Sequence, residues 1–247
     1  MDFRKLHDWP TNPHDAGRIQ NEFAGLVIKE TCFEKLEYIT AIDTAYNNDS
    51  NRLYAAAVTM KYPELSETEK AVAQMDISFP YIPNLLGFRE GPVILKTLSR
   101  LAVKPDMVVF AGHGIAHPLS FGMASHLGLL LDIPSIGCAR KCLAGQYVEP
   151  GSEPGQYSLL SVANVNCGYV YRSRARVKPI FISPGYKCNL EDSLKIIINC
   201  LRGYRMPQPL RLAHLYASKY CRAGKRKEQN NNLLRKNHNH ERKALKR

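Results

Sequence analysis

Asp106-Met107-Val108-Val109-Phe110-Ala111-Gly112-His113-Gly114, residues 106–114, decides the fold. Five apolar residues in a row behind an acid, opening into a glycine turn, predict a short strand buried on both faces, the kind found in parallel sheets. Downstream, Phe121–Leu131 has the pattern of a helix and Ser135–Cys138 that of another strand, leading into Ala139-Arg140-Lys141. Strand, helix, strand is a parallel crossover. Upstream, residues 38–43, 52–61 and 72–80 read as strands, and Asn47-Asn48-Asp49-Ser50-Asn51 is a turn cluster, so the first two form a hairpin. Helices are expected over 14–33 and 90–101. Pro80-Tyr81-Ile82-Pro83 breaks regular structure between them. Further strands are expected at 169–172 and 180–183. Then come a turn at Ser183-Pro184-Gly185, a helix over 190–201, and a last helix from Pro207 to about Lys219. Antiparallel strands followed by alternating strands and helices make an α/β domain with a mixed sheet flanked by helices.

Composition agrees. Of 247 residues, 45% are apolar and 23% charged, which suits one folded domain with a sizeable core and excludes a fibre or a wholly disordered chain. No apolar run reaches membrane-spanning length, and the first residues, MDFRKLHDWP, lack the features of a secretory signal. Seven cysteines, an odd number without a CxxC pair, point to free thiols in a reducing compartment, hence a cytoplasmic protein. The net charge of +12 is uneven: residues 222–247 hold ten Lys/Arg against two Asp/Glu. That segment, poor in apolar residues, is expected to be a disordered basic tail or a frayed helix, divided from a domain over 1–221. It serves either as a phosphate-binding arm or as a solubilising extension.

Two acids stand where α/β sheets gather ligands: Asp43 at a strand end and Glu90 at the start of a helix. They could share Mg²⁺, which takes oxygen ligands; equally they could be an ordinary strand-end acid and an acid at a helix N-terminus.

Four blocks carry more. PYIPNLLGFRE (80–90), AGHGIAHPLSFGMASHLG (111–128), DIPSIGCARKCLAG (132–145) and GYRMPQPLRLAH (203–214) together resemble the endonuclease V family, over about residues 15–220. The resemblance implies a ribonuclease-H-like fold. It also implies Mg²⁺-dependent (or Mn²⁺-dependent) hydrolysis of a phosphodiester one nucleotide 3′ to a deaminated purine, inosine or deoxyinosine, in DNA or RNA. By this resemblance Asp43 and Glu90 are metal ligands. His214 is a ligand or an acid/base group, and Arg140 stands at a catalytic basic position. Pro80, Tyr81, Ile82 and Pro83 form a rigid wedge beside a flipped-out base, with Tyr81 offering a flat stacking face. Gly112, Gly114, Leu86 and Leu143 line the base pocket, while His117, His126 and Lys141 lie near the nucleic acid. A monomer with no membrane partner is expected.

The chain departs from the family pattern at chemical positions. The third metal-binding position, an Asp in the pattern, is Ala111, whose methyl cannot ligate a cation. Arg140 replaces a Lys, and Leu119-Ser120 follows His117-Pro118 where an Arg is usual. Asp106 is too far along its strand to substitute, roughly 16 Å at the usual rise. The expectation is base binding with impaired cleavage. The alternatives are a catalytically inactive inosine-binding protein and a nonspecific nucleic-acid-binding protein led by its basic tail.

Overall fold

The computed structural model describes residues 2–244, with side chains to Arg226. In chain order its elements are α1 (Pro13–Phe23), β1 (Tyr38–Asn47), β2 (Arg52–Lys61), β3 (Glu67–Asp76), α2 (Leu86–Leu98), β4 (Met107–Phe110), α3 (Met123–Leu131), β5 (Ser135–Ala139), β6 (Tyr157–Val162), β7 (Val165–Tyr171), β8 (Ile180–Tyr186), α4 (Leu190–Asn199) and α5 (Gln208–Ala244). The eight strands form one sheet in the order β3-β2-β1-β4-β5-β8-β7-β6. The β1–β4 and β4–β5 pairs are parallel and the remaining pairs antiparallel; of these the parallel β4–β5 pair and the β1–β2 hairpin are the ones the sequence pattern predicts. This is the expected mixed α/β sheet, of ribonuclease-H-like type.

Each face of the sheet has its own core, set by the alternation of side chains along the strands. Ile39 and Ala41 of β1 with Val109 of β4 pack beneath α4 and α5, against Ile197, Leu210 and Ala213. Ile42, Val108 and Phe110 pack beneath α2 and α3, against Val93, Leu98 and Leu127. A third cluster joins α1 and the 80–88 region to β7 and β8. By the same parity Asp43 and Ala111 fall on the α5 face.

Several boundaries differ from expectation. The first helix stops at Phe23, with a 3-10 turn over Ala24–Leu26. β1 continues to Asn47, so Asp43 lies inside a strand and not at its end. The third strand is displaced to Glu67–Asp76. α2 begins at Leu86, so Glu90 sits in its second turn. β6 was not expected. Ser183-Pro184-Gly185 is no turn but part of β8, where a register irregularity against β5 accommodates the proline. The last helix does not stop near Lys219: its backbone continues to Ala244. Packing continues past Cys221 as well, since Gly224 lies against Tyr54, and Lys225 approaches Asp49 at 3.9 Å. Side chains of the basic segment from residue 227 onward, and residues 245–247 entirely, lie outside the described residues.

Candidate nucleic-acid and metal site

β4 ends at Phe110 while β1 runs on. The last bond between them is Ala111 N to Ile42 O, 3.2 Å. Beyond it, β1 is left without a parallel neighbour, and side chains from both faces converge there. From α5, His214 Nδ1 approaches Asp43 Oδ2 at 2.8 Å. From α2, Glu90 meets Thr44 and the Asp43 charge. Burial pushes the Glu90 carboxyl up to about 7; the Thr44 hydrogen bond opposes that rise and the charge on Asp43 adds to it. Two acids brought together in this way invite a cation. The donors nevertheless stop one short, because Ala111 presents a methyl beside Asp43. Among the described residues no group of three or more His, Cys, Asp or Glu side chains is arranged to hold a metal. Asp106 is no substitute: its Oδ2 accepts from the backbone of Glu37 and Tyr38 at 2.8 Å, at the other end of the strand. Nor is His113, whose Nε2 lies 3.1 Å from the Lys141 carbonyl.

The turn after β4 is held from all sides. Gly114 N donates to Ser183 Oγ at 2.8 Å and Ile115 N to Pro184 O at 2.8 Å. A Cβ on Gly114 would come 1.8 Å from Pro184 O, and one on Gly137 of β5 would come 2.5 Å from Gly114 N. Both positions therefore need glycine for close backbone approach.

Two cavities flank this turn. One, of about 400 Å³, is an open cleft lined by Asp43, Ala111, Arg140, Lys141, Met206 and Leu210, among others. The other is a smaller apolar cavity of about 100 Å³, with Ile82, Pro83, Phe121, Met123, His117 and His126 in its wall. Tyr81, Leu86, Gly112, His113 and Leu143 line both, so they form the partition. Tyr81 is 71% exposed at the rim. Of the residues expected from the sequence, Asp43, Arg140 and Lys141 line the cleft, Ile82, Pro83, His117 and His126 the smaller cavity, and Tyr81, Leu86, Gly112 and Leu143 both. Pro80, Gly114, Glu90 and His214 line neither cavity; Gly114 makes its close approach to β8 instead.

The pocket histidines are held neutral. His126 is 1% exposed, and burial, with His7 adding, pulls it down to about 3. Its Nε2 lies 2.7 Å from His7 Nε2, so one ring donates to the other. Burial pulls His113 down to about 4. His117 is also lowered by burial, and both its nitrogens have protein partners: Nε2 reaches Asn84 O at 2.9 Å, and Nδ1 accepts from Leu119 N at 3.1 Å. Gln20 of α1 donates to the same Asn84 carbonyl at 2.9 Å. The 80–84 loop is therefore braced from two sides. Gln20, Asn84, Phe121 and Met123 were missed in the sequence, where nothing distinguishes them from core or loop residues.

The endonuclease V family model matches residues 21–215. The chain belongs to the endonuclease V family. It is 44% identical over 222 residues to endonuclease V of Methanothrix thermoacetophila, covering 90% of this chain and 98% of that one. It is 42% identical over 219 residues to the Dictyoglomus thermophilum enzyme, covering 89% and 95%. The crystal structure of Streptomyces avermitilis endonuclease V superposes with a TM-score of 0.83 at 32% identity, covering 91% of this chain and all of that one. No helix among the described residues is long and apolar enough to cross a membrane.

Proposed function

We propose that this endonuclease V family member binds DNA or RNA carrying inosine or deoxyinosine, and that it cleaves the neighbouring phosphodiester weakly or not at all. The observation that carries this reading is the pairing of an intact apolar cavity with a cleft in which Ala111 sits beside Asp43. Engineered apolar cavities of about 150 Å³ accept a benzene ring. A cavity of about 100 Å³ behind an exposed Tyr81 is of the right order for a flat base seated by modest wall movement. Tyr81 would stack against the opened strand, with Ile82 and Pro83 filling the space left by the flipped base. Arg140 and Lys141 on the cleft rim would meet the phosphates.

Mg²⁺ (or Mn²⁺), the ion implied by the sequence resemblance, finds Asp43, Glu90 and His214 but no third carboxylate. The set present does not complete a site. Asp43 and His214 hold one another through the Nδ1 contact, which leaves Nε2 of His214 for substrate or water. Residues 1–221 would form the nuclease-like domain, with its packing continuing through Gly224 and Lys225, and the rest of the basic segment 222–247 an arm for the same polyanion; free cysteines suit a cytoplasmic protein, proposed to be a monomer.

Single-turnover cleavage of inosine-containing DNA and RNA strands, beside the Ala111→Asp variant and with binding recorded in the same samples, tests the reading. The parent should bind inosine-containing strands preferentially. The variant should bind Mg²⁺ or Mn²⁺ more tightly in calorimetry and cut at least about 100-fold faster, the scale on which one electrostatic group commonly acts. Comparable cutting by the parent would overturn impairment, and equal binding of inosine-free strands would overturn base recognition.

A further inference from the structure

Beyond the cleft, the same end of the sheet carries cations that no carboxylate among the described residues balances. Arg140 and Lys141 follow β5. Arg174, Arg176 and Lys178 occupy the 172–179 loop between β7 and β8, and all five are exposed. The register places the loop beside the cleft: Ala139, at the end of β5, pairs with Phe181, and Tyr171 pairs with Ile180. Arg205 ties the pieces together. Its Nη2 donates to the carbonyls of Arg140 at 2.6 Å and Pro179 at 2.8 Å, and its own carbonyl accepts from Ser173 Oγ at 2.7 Å. Its Nε is buried without a hydrogen-bond partner.

Arg172, the first residue of this loop, shows the contrast: it is paired with Glu149 at 2.7 Å. Among the described residues the other six cations have no carboxylate within ion-pair distance. Burial, and next the charge of Arg140, hold the Arg205 guanidinium below its usual value. Like charges are thus held together here by backbone hydrogen bonds. Beside them Tyr204 is 46% exposed, with the Arg211 guanidinium 3.9 Å from its ring centroid, so that one ring face is backed by a planar cation. A solvated loop alone would not need the Arg205 tie or the backed ring.

We propose that this rim is a second nucleic-acid contact, a phosphate track with a stacking plate, which holds a single strand leaving the cleft whatever its sequence. It rests on the cleft being the nucleic-acid site, and it adds a contact that is indifferent to inosine. Backbone phosphates supply the charge, and an exposed aromatic supplies a surface any base can stack on.

The test uses the full chain and single-stranded oligonucleotides with one inosine or none, titrated by fluorescence anisotropy from about 50 to 200 mM salt, a range over which phosphate contacts are read clearly. Replacing Arg174, Arg176 and Lys178 together with Ala should lower the slope of log K against log salt by about 2, since each phosphate neutralised on a single strand contributes about 0.7. The ratio of inosine to control affinity should not change. Arg174→Lys with Arg176→Lys should keep the parental slope. Tyr204→Ala should weaken both oligonucleotides roughly tenfold, within the range for a lost stacking contact, without altering the slope. Circular dichroism checks that each variant is folded. A parental slope in the triple variant overturns the track, and parental affinity in Tyr204→Ala overturns the plate. A parent indifferent to inosine would sink the base-reading proposal while the slopes still decide this one.

Discussion

Gly112 and Gly114 are two residues apart, yet they should respond oppositely to the same substitution. A Cβ on Gly112 meets Met123 at 3.5 Å, an ordinary contact. On Gly114 it collides with backbone of β8. Gly114→Ala should cost on the order of 2–3 kcal/mol, because neither side of the clash is a flexible side-chain end. Gly112→Ala should change stability by less than about 1 kcal/mol, yet weaken inosine binding by narrowing the partition between cavity and cleft. Urea unfolding and anisotropy on both variants separate the two; equal losses of stability would show the turn to be looser than drawn. The sequence carried both glycines but could not distinguish them. The difference lies in Pro184, a partner about seventy residues away inside a strand read as a turn. Ala111 was the reverse case. Its departure from the family pattern is read from the sequence alone, which also sets Asp106 too far along its strand, and the structure adds that His113 is turned to the Lys141 carbonyl.

At the scale of elements, the parallel strands and their glycine turn were readable because apolar runs of that kind have few alternatives. β6, Tyr157-Ser158-Leu159-Leu160-Ser161-Val162, was not, since its side chains alternate weakly and its pairing depends on β7. Least legible was the irregular stretch before α1. It lacks periodicity, yet Arg4 N donates to Leu130 O at 2.7 Å, Trp9 covers Gly91, and His7 meets His126. This strap packs behind the smaller cavity, against a wall histidine kept neutral, and that has a consequence for pH. Between about 3 and the usual value of 6.5, the unfolded chain protonates this imidazole and the folded one does not. The unfolded state then binds more protons, so stability rises with pH across that window and falls on acidification, by up to about 1.4 kcal/mol per pH unit for the group. His113, lowered to about 4, acts in the same direction. Glu90, raised to about 7, acts the other way over pH 5 to 7, but a single group is outweighed by the buried histidines. The midpoint of thermal unfolding should therefore fall from pH 7 to pH 5, and less steeply in His126→Gln. A flat profile, or an unaltered one in the variant, would mean that the cavity admits the charged ring.

For the whole molecule, charge and fold are separable. On the proposed function the described domain would read a base through shape, while the net charge of +12 acts on any polyanion. Cutting the chain at Cys221, where composition changes, would remove Gly224 from Tyr54 and Lys225 from Asp49, so loss of binding there would mix destabilisation with lost charge. Ending it after Arg226 keeps those contacts and removes seven Lys/Arg and two Glu. The shortened protein should unfold within a few degrees of the parent, because the contacts described for α5 are retained. It should bind inosine-containing and control strands more weakly by the same factor, with a shallower salt dependence, because counterion release depends on phosphates neutralised and not on the base in the cavity. Titrating both proteins with both strands at two salt concentrations decides the matter. If the segment only aids solubility, affinities and slopes will coincide. If the inosine preference itself falls on truncation, the basic segment takes part in base recognition and the division of labour between cavity and charge is wrong.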